Sequence, residues 1–377
     1  MTERIGVRES LTTAGASNTM NLRRAFKQIP GRTPIEHSFQ RLHMRISVLV
    51  LLVTLLTTLV GCGSGSVEFG RPALVVTDPD ESRVVVYDNS PRRILILDSQ
   101  FKLIREITHP LMQNVWGLTL GLQGEILAAT ECADSSGLQE VAASSSAVAA
   151  ILRFDRDGRE LPPWIWRGRQ GPLIKPIQIT ALPDATYLVT DAGVDRIFRL
   201  NDAGVVIGAS GQNGSAPGQV YFPSDIKRLP SGKVLLTDAF NSRVQEFRLN
   251  ELATQSAPAS GTLPEILTFE RVVLENGMEP GKVRFPQYLA VAPSGNWYVS
   301  EFETMRVSEF DQNGTLVRLF NPTLSDAATG TETFFELFGV AWLPKSKRLL
   351  VADSLNAGIH VFAEDGRVTE FLRGPKP

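Results

Sequence analysis

The segment Phe222-Pro-Ser-Asp-Ile-Lys-Arg-Leu-Pro-Ser-Gly-Lys-Val-Leu-Leu-Thr-Asp238 recurs as Phe285-Pro-Gln-Tyr-Leu-Ala-Val-Ala-Pro-Ser-Gly-Asn-Trp-Tyr-Val-Ser-Glu301. A chain that repeats itself folds as an array of like units, so this recurrence limits the architecture more than any other feature. Both copies place an acid fifteen residues after a Pro; Pro176 and Asp191 keep the interval, as do Trp116 and Glu131 and Phe338 and Asp353 without the Pro. The acids Asp88, Glu131, Asp191, Asp238, Glu301 and Asp353 are spaced by 43, 60, 47, 63 and 52 residues. Each interval holds about four short β-branched runs punctuated by Gly, Pro, Asn or Asp, and no helical period follows Cys62. Turn pairs such as Asp157-Gly158, Ala203-Gly204, Asn313-Gly314 and Asp365-Gly366 sit where a hairpin needs positive φ. Four strands per unit and six units give an all-β, six-bladed β-propeller with four-stranded antiparallel blades over residues 73–377. Length alone would suggest two or three domains; the repeat makes it one.

Five residues after the acid comes a basic residue in four units: Asp88 to Arg93, Asp191 to Arg196, Asp238 to Arg243 and Glu301 to Arg306. The sequence Leu235-Leu-Thr-Asp-Ala-Phe-Asn-Ser-Arg-Val-Gln-Glu-Phe247 resembles the NHL-repeat family of six-bladed propellers, with its acid, Asn and Arg in register. Weaker copies run from about Ala73 to Leu372. Unit 2 lacks the Arg, and unit 6 keeps Asp353 and Asn356 but has Gly358 at the Arg position. Four equivalent copies are more than one catalytic or metal site needs. The pairs therefore read as structural, joining the end of a second strand to the start of the third through charge-assisted hydrogen bonds.

The N-terminal part has a different character. Residues 1–61 carry eight Lys/Arg against three Asp/Glu, and the remaining 316 carry 30 against 37. A mildly acidic body argues against nucleic acid as a partner. Ile46–Val60 is a run of fifteen residues without a charge, preceded by Arg23, Arg24, Lys27, Arg32, Arg41 and Arg45. That length suits a secretory h-region better than an uncleaved spanning helix. Leu59-Val60-Gly61-Cys62 then resembles the lipobox of bacterial lipoproteins, which implies cleavage before Cys62 and acylation of its thiol. Domains follow as 1–61 signal segment with an extended n-region (Met1, Met20 and Met44 all being possible starts), 62–72 linker and 73–377 propeller. The expected location is a lipid-anchored position in the bacterial cell envelope, facing outside the cytoplasm, on the outer membrane where the host has one. Cys132 is left without a cysteine partner, so no disulfide within the body is expected.

In a propeller the second-to-third turns and the links between blades share one face, and binding residues gather on such loops. Cys132–Ala150, Gly208–Tyr221, Glu275–Phe285 and Asn321–Phe335 fall there, whereas Glu251–Glu265 falls on the other. The Ala/Ser-rich Cys132–Ala150 insertion reads equally as a lid or as a tolerated loop. Trp116, Gln178, Asp225, Tyr288 and Phe338 should open the innermost strands and line the channel mouth. That set suits a polar organic ligand or peptide, or else simply plugs the channel. His109 and His360 are the two histidines of the body and are not expected to converge, which disfavours a zinc site; no GxSxG elbow is present. The reading is a non-catalytic binding scaffold for an envelope protein, peptide or glycan, without a cofactor. The alternative is a calcium-dependent hydrolase or lactonase of the gluconolactonase-like kind, with its cation at Asp225 in the channel.

Overall fold

The computed structural model describes residues 67–132, 148–167, 172–252, 256–258, 261–321 and 334–373. Cys62, the stretch read as a signal segment and most of the 132–150 insertion lie outside them. The propeller belongs to a unit spanning Gly63–Pro377.

Six four-stranded antiparallel sheets follow one another, each made of four consecutive strands. The innermost strands are Pro72–Thr77, Val115–Leu120, Pro176–Ala181, Pro223–Arg228, Pro286–Val291 and Leu337–Leu343, and the chain moves outward from each. The six innermost strands touch in a closed circle, the first against the last. Among the described residues no strand is exchanged between the ends of the chain, so blade 1 meets blade 6 without a ladder of paired strands. Val67, Phe69, Val75, Leu343, Leu350 and Ile359 share that apolar seam. Arg71 bonds Glu336 across it at 2.8 Å, and Glu81 accepts the Ser346 amide at 2.8 Å.

Second strands such as Arg83–Asp88 (RVVVYD) and Arg348–Asp353 (RLLVAD) read as unbroken apolar runs because a neighbouring blade covers both of their faces. Val84, Val85, Val86 and Tyr87 are all buried, each such side chain adding about 1.5–3 kcal/mol of transfer free energy. The outermost strand of blade 1, Leu103–Ile107, is exposed at its first four residues because nothing stacks beyond it.

All six blades share one local device. The residue leading into the innermost strand offers its carbonyl to the amide one residue past the second-strand position that pairs with the strand opening: Arg71 to Asn89, Asn114 to Glu131, Lys175 to Ala192, Phe222 to Ala239, Phe285 to Phe302 and Glu336 to Ser354, at 2.9–3.2 Å. This register corrects two alignments read from the sequence. In blade 2 the residue equivalent to the acid is Thr130, paired with Val115, and Glu131 lies one position beyond. In blade 6 Leu337 faces Asp353, a separation of sixteen, so Phe338 sits one place past the strand opening. The insertion also shrinks, because its flanks continue the ladder through Cys132↔Val148, Glu131↔Ala149 and Thr130↔Ala150.

Candidate functional site

The recurring acids end the second strands and hold the segments that lead into the innermost strands. Asp238 accepts the Tyr221 amide at 2.7 Å, Glu301 that of Arg284 at 3.0 Å and Asp353 that of Glu336 at 3.1 Å. Asp88 takes the amides of Gly70 and Arg71. The arginines complete the clamp from the other polarity. Arg243 bonds Asp238 at 2.7 Å and the carbonyls of Ser215, Ala216 and Gln219, so one guanidinium pins the whole inter-blade link. Arg306 repeats this with Glu301 at 2.6 Å and the carbonyls of Met278 and Lys282, and Arg93 meets Asp88 at 3.1 Å.

Blade 3 departs from the expected pairing. Asp191 spends its oxygens on the amides of Ile174, Lys175 and Gly193. Arg196 turns toward the Phe198 ring at 5.7 Å with its Nε buried and unbonded. Among the described residues no carbonyl of the link into this blade accepts a bond from Arg196. In blade 6, where Gly358 replaces the Arg, His360 reaches Asp353 from two residues further on, Nε2 to Oδ2 at 3.2 Å. Gln245 and Ser308 approach their acids from that same offset in blades 4 and 5.

The channel residues are more tightly committed than their chemistry suggests. Asp225 is fully buried; its Oδ1 takes the Ile226 amide at 2.6 Å and Lys227 Nζ at 2.9 Å, and its Oδ2 takes the Leu289 amide of blade 5 at 2.7 Å. Burial pushes its carboxyl above the usual range, against the pull of Lys227. Gln178 caps the Ile179 amide through its own Oε1. Tyr288 crosses the channel from blade 5 and donates its hydroxyl to the Trp116 carbonyl of blade 2 at 3.1 Å, with Phe338 6.4 Å away. The aromatic plug is thus Tyr288, and Trp116 supplies its acceptor. His109 and His360 stay apart: His109 pairs with Glu160 at 3.4 Å, while His360 is enclosed by Phe334 and Phe371. Among the described residues no group of three or more His, Cys, Asp or Glu is placed to hold a metal ion.

The lead-in residues also reach the mouth, though the sequence reading did not single them out as site candidates. Lys175 Nζ stands 4.8 Å over the Trp116 ring and 5.8 Å from that of Phe222, with Glu131 at 3.7 Å. Phe222 stacks on Phe240 at 4.5 Å; Phe240 meets Tyr221 at 4.9 Å and Phe285 at 5.4 Å, and Phe285 meets Phe302 at 5.9 Å. One aromatic strip with a single cation therefore crosses blades 2 to 5 on the loop-rich face, and Trp116, Tyr221 and Phe240 are half-exposed. Phe222 and Phe285 adopt left-handed φ of 57° and 48°. Bulky residues hold that conformation at a cost of order 1–3 kcal/mol, a strain that gathers at working sites. Their signal in the sequence was the Phe-Pro pair itself: whatever precedes the Pro opening an innermost strand stands at the mouth.

Burial pulls the Lys175 amine below its ordinary value, with Glu131 and Asp191 opposing. Because the folded value is depressed, this group's penalty on stability is relieved as pH rises toward the ordinary lysine range. A small amine reagent at mildly alkaline pH should therefore modify Lys175 ahead of fully exposed lysines such as Lys102. Peptide mapping that found Lys175 among the slowest lysines would contradict this.

Among solved structures the propeller is similar to virginiamycin B lyase from Staphylococcus aureus, with TM-score 0.51, 15% identity and coverage of 81% of this chain and 86% of that one. It is similar also to a streptogramin B lyase (TM-score 0.52, 13% identity, 83% and 87% covered) and to a protein described as a candidate gluconolactonase (TM-score 0.50, 20% identity, 76% and 86% covered). At these identities the likeness is one of fold. No protein-family model matches the sequence, and no curated protein matches it.

Proposed function

We propose that this chain is a lipid-anchored, exported propeller of the NHL type that binds a peptide or protein of the bacterial envelope without transforming it. The observation that carries the reading is the aromatic strip on the loop-rich face, where half-buried Trp116, Tyr221 and Phe240 stand around the Lys175 amine over buried Phe222 and Phe285. Aromatic rings supply large contact area and the single amine supplies direction, which is the composition of interface anchors. Of the groups that would do chemistry, Asp225 is spent on internal bonds and His360 is enclosed between Phe334 and Phe371 with Nε2 on Asp353. Neighbours of the same fold include lyases and a candidate gluconolactonase. That leaves a cation-dependent hydrolase as the reading to test against, with calcium at Asp225.

Two measurements separate them. Tagged protein purified from envelope fractions should recover a partner that the Trp116→Ala/Phe240→Ala variant loses, with melting temperature within about 4 °C of wild type, since half-exposed substitutions away from caps and cores cost little. Elemental mass spectrometry should find no stoichiometric calcium. A bound ion that disappears in Asp225→Asn would overturn the scaffold reading.

A further inference from the structure

Resting on that lipid-anchored reading, we infer that the propeller meets the bilayer itself, along the blade 6–blade 1 edge of its loop-rich face, with Phe335 and Leu355 entering the lipid interface. The argument begins where the described chain begins. Val67 and Phe69 are 8% and 1% exposed in the seam between blades 6 and 1. The Glu68 carbonyl accepts Arg93, and the Gly70 and Arg71 amides bond Asp88. All of these contacts lie at the end of blade 1 that carries the second-to-third turn. Cys62 precedes Val67 by five residues, so covalent geometry keeps its thiol within about 17 Å of that seam. Acyl chains on Cys62 therefore bring this edge to the membrane surface, whatever conformation the short tether adopts.

What stands beside the tether fits that surface. Phe335 is 48% exposed and Leu355 39%. Both flank Asp353, which ends the second strand two residues before Leu355 and accepts the Phe335 amide at 3.2 Å. Glu336, adjoining Phe335, holds Arg71 of the tether segment at 2.8 Å. Exposed apolar side chains of this size lose hydration favourably in the headgroup–acyl boundary, at about 25 cal/mol per Å². The exposed charges along this edge are of both signs, Glu68 and Glu106 with Arg92 in blade 1 and Arg373 beside Gly358 in blade 6, so the contact does not require anionic lipid. The aromatic strip occupies blades 2 to 5 of the same face, across the channel from this edge. A disc held at blades 6 and 1 keeps that strip beside the membrane but uncovered, facing a partner that is itself membrane-borne.

The test uses full-length acylated protein in phosphatidylcholine vesicles, in a Cys132→Ser background. A nitroxide is placed either at Leu355→Cys or at Val205→Cys, which lies in a third-to-fourth turn on the opposite face. The label at 355 should collide with lipid-dissolved oxygen several-fold more than with an aqueous nickel complex. The label at 205 should show the reverse, and anionic lipid should change neither. Equal aqueous exposure of both labels on vesicle-bound protein overturns the inference while leaving the anchor in place. Absence of acyl groups on Cys62, or vesicle binding unchanged in Cys62→Ala, overturns the anchored reading and the inference with it.

Discussion

Asp238→Ala is expected to lower the melting temperature by on the order of 10 °C, from a loss of about 3–5 kcal/mol when one partner of a buried ion pair is removed. Asp238 is fully buried and receives four donors: the Tyr221 amide, Asn241 Nδ2 at 2.9 Å, Arg243 Nε at 2.7 Å and Gln245 Nε2 at 3.1 Å. They come from the inter-blade link, the second-to-third turn and the third strand, so one carboxylate ties three segments. Without it Arg243 keeps only carbonyl partners and remains a buried cation. Asp238→Asn retains an acceptor and should cost less. Burial raises the Asp238 carboxyl to about 6 against the pull of Asn241 and Arg243. A folded value above the ordinary 3.8 means that this group favours the folded state most at low pH, an advantage lost as pH rises through 6. The stability gap between wild type and Asp238→Asn should therefore widen in favour of wild type as pH falls from 7 to 5. Thermal melts within about 2 °C of wild type for Asp238→Ala would remove the structural account of the repeat acid.

The ring of six blades was legible because propeller geometry writes itself into sequence twice. Burial on both faces turns second strands into unbroken runs such as Val84–Tyr87, and in every blade but the second that strand ends on an acid whose partners are fixed by the fold. The reading slipped by one residue at Glu131 and Phe338 because it anchored on the nearest acid or aromatic. The fold anchors instead on a backbone bond, Glu131 amide to Asn114 carbonyl at 3.1 Å in blade 2, which any side chains can accompany. Blade 6 shows the same indifference: with Gly358 at the Arg position, His360 still bonds Asp353 from the offset that Gln245 and Ser308 use in blades 4 and 5.

Less of the candidate site was legible. Asp225 drew attention as an isolated channel acid, yet its partners Lys227 and Leu289 are a local side chain and a backbone amide 64 residues away, and no spacing rule couples the latter to it. Conversely, Phe222 and Phe285 recur at the head of the two aligned segments and so read as repeat residues, while Lys175 holds the equivalent position with unlike chemistry, which a search for recurring residue types skips. Position in the repeat, and not residue type, marks the mouth. Glu131 belongs to it for the same reason: displaced by one from the acid position, it faces Lys175 at 3.7 Å and does not clamp its own blade.

Gly117→Ala should harm fold and site together. Gly117 occupies the innermost strand of blade 2 where that strand crosses the innermost strand of blade 3. A Cβ there would lie 2.7 Å from the Gln178 Cα and closer still to the Ile177 carbonyl oxygen. Both are backbone atoms of a strand bonded into its own sheet, so they cannot rotate away as a side chain would. Overpacking of this kind costs about 1–3 kcal/mol, seen as a melting temperature several degrees lower. Relief comes only by parting blades 2 and 3, and that moves Trp116, the adjoining residue, whose carbonyl holds Tyr288 across the channel and whose ring underlies Lys175. Partner capture should weaken along with stability, and amine labelling of Lys175 should slow as its amine gains water and recovers a more ordinary proton affinity. Gly121→Ala is the matched control, since its Cβ would meet only the flexible end of Glu125. Equal melting temperatures for the two variants would show that the blades have slack at this crossing, and that Gly117 is not what holds the mouth in shape.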